Sequence, residues 1–150
     1  MKKITRKSAD HIIAMYTEEI SSPEFVADPL VSVCFITYNH AEFVEEALDS
    51  ILMQETDFTF EIVIGEDAST DETLEIVHRY QQKYPEKIKI LRSTENLGQL
   101  TGTSFQLNFM RGLNACRGKY IAFLEGDDYW ISNHKLKYQV EALEANSHYS

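Results

Sequence analysis

Basic residues, cysteines and long apolar runs are all scarce in this 150-residue chain. Lys and Arg number 14 against 24 Asp and Glu, a formal charge of −10. Neutralising a nucleic-acid backbone takes a basic face, so this balance argues against that partner. An anionic small ligand would have to be met by backbone N–H groups, a few placed basic residues or a metal ion. Cys34 and Cys116 are the only cysteines and form no Cys-x-x-Cys pair, which leaves a disulfide framework or zinc site unsupported. Cys34 lies in an apolar run and reads as a small buried hydrophobe. Apolar stretches such as Tyr120–Leu124 fall far short of the ~20 residues a membrane span needs. The basic start Met1–Lys7 leads into no apolar segment, so it does not read as a secretory signal.

What remains is ordinary globular composition: 43% hydrophobic, 25% charged, with 6 Gly and 3 Pro. Disorder, collagen and coiled coil are excluded on that basis. The length suits one domain with a real core. A soluble, cytoplasmic protein is expected, at most peripheral at the inner membrane face.

Residues 1–29 read as an amphipathic helical arm, with Ser8 capping a helix to about Ile20 and Pro23 stopping it. Strand and helix signals then alternate over residues 30–150. Leu30–Ile36 is a β-branched run fit for a strand buried on both faces. Glu42–Met53 carries an apolar helical stripe, and Glu61–Gly65 is a second strand. Ser69-Thr-Asp-Glu72 resembles a capping box opening a helix to about Tyr84. Ile88–Leu91 is a third strand. A Gly-containing loop, Glu95–Gly98, precedes one helical stretch to about Cys116. Lys119–Leu124 is a fourth strand and Asn133–Ala145 a final polar helix. This order predicts an α/β fold with a mostly parallel, Rossmann-like sheet and helices on both faces. Ligands in such sheets sit beyond the carboxyl ends of the strands.

Three strand ends should therefore open on one edge: Thr37–His40, Glu66–Ser69 and Glu125–Asp128. Each has a plain structural reading. The first can be a strand-to-helix turn, Asp67 and Ser69 can be helix caps, and the third can be a solvated acidic turn. Yet three carboxylates within four residues repel one another unless a cation or donor compensates them. Mg²⁺ and Mn²⁺ take oxygen ligands, commonly one or two carboxylates plus substrate phosphates, which points to a metal or metal–nucleotide role for Asp127. No Walker phosphate loop, no Gly-x-Gly-x-x-Gly after the first strand and no Gly-x-Ser-x-Gly elbow is present. The five histidines (11, 40, 78, 134 and 148) lack metal-ligand spacing.

With these clusters placed, the sequence resembles family 2 glycosyltransferases, inverting nucleotide-sugar enzymes of GT-A fold. Val31–Asn39 is similar to the family's opening strand and Thr-Tyr-Asn turn, and Glu42 to the acidic residue that follows it. Glu61–Asp71 is similar to its second strand and acidic turn, and Glu95–Gly98 to its Asn-x-Gly loop. Gly118–Asp128 is similar to the strand that ends in the Asp-x-Asp motif. The resemblance implies a nucleotide site formed by Thr37, Tyr38, Asn39, Glu42, Asp67, Ser69, Gly98 and Glu125. Asp67 would accept from the base and Asp127 would hold a Mg²⁺ or Mn²⁺ ion bridging the diphosphate. The donor would be a UDP-, GDP- or dTDP-sugar and the acceptor a glycan or lipid-linked molecule, as in cell-envelope polysaccharide synthesis.

The sequence departs from the pattern at Glu125, where many members have Asp, and at Ile36, where many have Pro. Asn108-Phe-Met110 stands where the family often has Ala-Arg-Asn, so a basic contact to the sugar or phosphate is expected to be missing unless Arg111 or Arg92 substitutes. No general base is identified: the stretch after Asp128 reads as one helix, so the acceptor-side half is expected to be absent. A non-catalytic nucleotide-sugar-binding module and a plain interaction domain are the competing readings.

Overall fold

The computed structural model describes residues 5–103, 105–146 and 148. Part of the basic start and of the last five residues lies outside them. Eleven elements run α1 (Arg6–Tyr16), β1 (Thr17–Ile20), β2 (Val31–Thr37), α2 (Val44–Leu52), β3 (Phe60–Glu66) and α3 (Thr73–Lys83), then β4 (Ile88–Ser93), α4 (Leu97–Thr101), α5 (Gln106–Ala115), β5 (Tyr120–Glu125) and α6 (Lys135–Ala145).

The strands form one sheet in the order β1-β4-β3-β2-β5. The pairs β2–β3, β2–β5 and β3–β4 are parallel, and β1 adds to β4 antiparallel at the edge. Every residue of β2 and β3 is buried, including the polar Ser32, Thr37, Glu61 and Glu66 set among their apolar residues. Val31, Val33 and Phe35 of β2 pack with Leu48 and Ile51 of α2, Val77 of α3 and Leu136 of α6. On the other face Cys34 and Ile36 meet α5 at Gly112, where a Cβ would lie 2.7 Å from Cys34 Sγ. Leu97 and Leu107 join Ala9 of α1 in a second, smaller core. The chain is thus an α/β sandwich with helices on both faces.

The structure corrects several boundaries. The expected helix to Ile20 stops at Tyr16, because Thr17 is already extended (φ −108°, ψ 127°). Thr17–Ile20 then pairs with Ser93–Ile90, so the sheet has a fifth, antiparallel strand. Thr5, not Ser8, caps α1: its Oγ1 accepts from the Ser8 N–H at 3.3 Å. Ser69 does not open α3; that helix begins at Thr73, and Glu72 makes no side-chain cap. The single stretch to Cys116 is two helices, broken at Gly102, which takes a left-handed conformation (φ 65°). Gly98, expected in a loop, is buried within α4.

One half-exposed ion pair fastens residues 25–27 to the sheet: Arg117 is 42% exposed, and its partner Glu61 is buried. Glu61, fully buried in β3, accepts from Arg117 Nη2 at 2.7 Å, the Arg117 N–H at 2.9 Å and Ser32 Oγ at 2.6 Å. The same guanidinium donates to the Val26 carbonyl at 2.5 Å and stacks on Phe25. Removing one partner of such a pair strands a buried charge. Arg117 is half exposed and Glu61 keeps its bonds from Ser32 and the Arg117 N–H, so Arg117→Ala should cost about 1–2 kcal/mol in a denaturant titration. Adding Glu61→Gln to that variant should restore part of the loss, and a cost near zero would refute the account.

Candidate functional site

Strand order places the site before any side chain is considered. The chain leaves β2 toward β3 and β4, then returns to the opposite side of β2 to lay down β5. A crevice forms at such a reversal, outside the carboxyl ends of the strands. A cleft of about 520 Å³ occupies this position. It is lined by Thr37 and Tyr38 after β2, Asp67 after β3, Asn96 and Gly98 at α4, Asn108 of α5 and Glu125 of β5. Among the described residues its lining contains no Lys or Arg, and His40 supplies its one imidazole.

Beneath the cleft lies a network of buried polar groups. Asp67 Oδ1 accepts from the Leu97 N–H at 2.9 Å and Ser93 Oγ at 3.0 Å, while the Asp67 carbonyl accepts from Asn96 Nδ2. Its Oδ2 takes no hydrogen bond among the described residues. Arg111, 3% exposed, donates to Ser93 Oγ at 2.6 Å, the Glu66 carbonyl at 3.0 Å, Asn108 Oδ1 at 2.5 Å and Thr17 Oγ1 at 3.3 Å. Burial pulls its guanidinium down to about 10, against the upward pull of Asp67 and Glu66. Sequence reasoning offered Arg111 or Arg92 as a contact for phosphate or sugar. Neither lines the cleft: Arg111 supports it from below and Arg92 pairs with Glu18 at the far edge.

The turns that follow β2 and β3 hold each other. Asn39 and Ala68 both have positive φ, 55° and 59°. Asn tolerates this conformation; Ala does so at a cost and must be held there. Glu66, fully buried, folds back so that its carboxylate accepts from the N–H groups of Ala68 (3.2 Å) and Ser69 (2.7 Å). Asn39 Oδ1 accepts from the Thr70 N–H at 2.8 Å, and Ser69 Oγ from the Asn39 N–H at 3.0 Å. Asn39 and Ser69 therefore spend their polar atoms on bracing the turns. Glu42 is exposed on a neighbouring depression with Asp71 and Glu75. Of the expected nucleotide residues, Thr37, Tyr38, Asp67, Gly98 and Glu125 come together in the cleft; Asn39, Glu42 and Ser69 lie outside its lining.

Asp127 stands at the turn after β5, its side chain 49% exposed and its Oδ2 3.9 Å from His40 Nε2. No group of three or more His, Cys, Asp or Glu among the described residues is arranged to hold a metal ion by itself. That is compatible with a hard cation completed by substrate phosphates, which needs only one or two protein carboxylates. His40, Asn96, Asn108 and Glu66 are site residues the motif reading did not assign. An imidazole directly after the Thr-Tyr-Asn turn was the one available signal.

A model of glycosyl transferase family 2 matches residues 32–150, and the chain belongs to that family. An uncharacterized protein of Mycobacterium tuberculosis is 43% identical over 115 residues, spanning 76% of this chain and 31% of the relative. The putative teichuronic acid biosynthesis glycosyltransferase TuaG of Bacillus subtilis is 34% identical over 115 residues, 77% of this chain and 42% of that protein. The fold matches Staphylococcus aureus TarS in complex with UDP, with a TM-score of 0.63, 30% identity, and coverage of 78% of this chain and 32% of TarS. It also matches the mannosyltransferase PcManGT of Pyrobaculum calidifontis, in complex with GDP-Man and Mn²⁺. There the TM-score is 0.59 and identity 25%, over 90% of this chain and 37% of that one. The architecture is therefore of GT-A type, and the chain spans about a third of the length of the relatives it matches.

The brace around Asp71 makes a pH prediction. Burial pushes its carboxyl up, but hydrogen bonds from Thr73 and the Ala41 N–H outweigh this and hold it below the ordinary carboxylate range. A depressed folded-state pKa stabilises above the unfolded value of about 3.9, and that stability is lost as pH falls through the folded value. Asp71→Asn should melt below wild type at pH 7, with the gap closing as pH falls below the unfolded value and through the lower folded one. A gap independent of pH would contradict this.

Proposed function

We propose that this chain forms the donor-binding side of a glycosyltransferase that moves a sugar from a nucleoside-diphosphate donor to a glycan or lipid-linked acceptor, with inversion at the anomeric carbon. The observation that carries the reading is the cleft at the reversal between β2 and β5, where Thr37, Tyr38, Asp67, Gly98 and Glu125 converge. Its volume, about 520 Å³, falls within the range of small-molecule sites. The likeness to proteins solved with UDP, UDP-GlcNAc and GDP-Man supports a nucleotide-sugar ligand. The name of the Bacillus relative supports an envelope polysaccharide as the product.

In this reading Tyr38 offers its ring to the base and Asp67 accepts a base N–H through Oδ2, the oxygen its own network leaves free. Glu125 faces the ribose, and Gly98 lets the α4 backbone come close to the nucleotide. Asn39 and Ser69 act by fixing the two turns, and Glu42 belongs to the outer rim. Asp127 would hold a Mg²⁺ or Mn²⁺ ion, in keeping with PcManGT having been solved in complex with GDP-Man and Mn²⁺. Bound there, the ion supplies Lewis-acid neutralisation of the departing diphosphate. Residues 30–150 carry the site and residues 1–29 brace it. The proposed setting is the cytoplasm or the inner membrane face; among the described residues no helix is long and apolar enough to cross a membrane.

A thermal-shift panel of UDP, GDP and dTDP, each with and without Mn²⁺, tests this. A ligand that binds only the folded state at about 100 times its Kd adds ~2.7 kcal/mol. One nucleotide should shift the midpoint in a Mn²⁺-dependent way, and silence from all three would refute the reading. Asp127→Ala should abolish the Mn²⁺-dependent part. Asp67→Asn, which keeps Oδ1 as an acceptor, should weaken binding with or without metal.

A further inference from the structure

A diphosphate entering this cleft meets an unusual lining. No Lys or Arg is available to it among the described lining residues, and Glu125 with Asp127 adds negative charge to one side. A metal ion can offset part of that repulsion, but the protein needs a donor of its own. The candidates in the lining are the hydroxyls of Thr37 and Tyr38, amides and a single imidazole, that of His40, which alone of them faces Asp127.

His40 is held with more care than a solvent-facing turn residue needs. Its N–H donates to Thr73 Oγ1 at 2.9 Å, and its Nδ1 lies 3.3 Å from Thr37 Oγ1. Gly126 backs the ring: a Cβ there would sit 2.7 Å from His40 Nδ1 and 2.5 Å from Thr37 Oγ1, so any side chain would displace both. The glycine between the two acidic positions is therefore what makes room for the imidazole. The ring is pinned on its δ side while the ε side faces Asp127. At 3.9 Å, Nε2 and Asp127 Oδ2 are too far apart for a hydrogen bond, and Nε2 has no other partner among the described residues. When the Thr37 hydroxyl donates to Nδ1, the ring proton sits on Nε2 and points toward the place where Asp127 would hold its ion.

Resting on the nucleotide reading of the cleft, we propose that His40 is a diphosphate-binding residue, its Nε2–H donating to a phosphate oxygen of the donor beside Asp127. The contact of the δ nitrogen with Thr37 fixes the direction of that donor. The ring thereby supplies a directed contact on the Asp127 side of the cleft.

Calorimetric titration of the whole chain tests this, using whichever of UDP, GDP or dTDP binds and its parent nucleoside, each with Mn²⁺ and with EDTA. His40→Asn keeps a polar group near the δ position and removes the ε donor. It should weaken the diphosphate about tenfold in both conditions and leave the nucleoside unchanged. His40→Gln, whose amide nitrogen reaches toward the ε position, should stay within about threefold of wild type. Unchanged diphosphate affinity in His40→Asn overturns the proposal. Equal loss for nucleoside and diphosphate overturns it too, since that marks a structural role, and so does a loss seen only with Mn²⁺. Histidine ¹⁵N NMR on the wild type gives a readout free of any folding defect. The His40 Nε2 resonance should move on adding the diphosphate and stay put on adding the nucleoside; no movement overturns the proposal. A wild type that binds none of the three nucleotides refutes the reading of the cleft itself, before any variant is made.

Discussion

The buried guanidinium of Arg111 is the contact on which the site depends. Three segments that are distant in sequence converge on it: Glu66 through its carbonyl, Ser93 through its hydroxyl and Thr17 through Oγ1. Ser93 in turn donates to Asp67, so the carboxylate at the end of β3 is held by a chain of bonds that begins at a helix on the far face. A lone guanidinium in an apolar core would be untenable. This one is tolerated because acceptors surround it, and because Glu66 and Asp67 place negative charge nearby. Its Nε has no hydrogen-bond partner among the described residues. Gly65 belongs to the same solution, since a side chain there would collide with Asn108, which donates from Nδ2 to the Gly65 carbonyl at 2.8 Å.

Above this network, strain and bracing balance each other. Two non-glycine residues with positive φ sit in adjacent turns, and each turn supplies the hydrogen bonds that hold the other. Such local cost persists only where the surroundings over-determine it, which is why backbone outliers gather at working sites. The parallel sheet below is the rigid reference. Fully buried β2 and β3 cannot slip in register without exposing their apolar runs, so the turns they carry are delivered to fixed places.

Much of this was legible in the sequence because the signals were local. The apolar runs of β2 and β3 announced buried parallel strands, and the rule for strand ends picked out the turns that now line or brace the cleft. The failures share a different cause. Thr17-Glu-Glu-Ile20 is short and polar, and becomes a strand only because β4 offers it an edge far along the chain. Ser69 looked like a cap because Ser followed three places on by Glu fits a capping box, yet its hydroxyl is claimed by Asn39 from another turn. Arg111 looked like a ligand contact because nothing in a linear pattern says whether a helical arginine faces a cleft or the core beneath it. Long-range pairing decided each case.

Charge gives the deepest constraint on what the cleft can be. An acidic chain that recognised an anionic ligand by arginine would need to keep the guanidinium at the surface of the site. Here the arginine nearest the cleft is sunk below it and spent on the scaffold. The surface of the cleft is left to hydroxyls, amides, one imidazole and carboxylates. Such a lining repels a bare polyanion and favours an anion that arrives with a divalent ion, because the ion answers both the ligand's charge and that of the rim. On the proposed reading, affinity for the nucleotide and affinity for the metal become one linked quantity, with Asp127 on the side of the cation. The burial of Arg111 and the exposure of Asp127 thus fit one arrangement: positive charge is used to build the site, and under the proposed function the cation is left to come with the ligand.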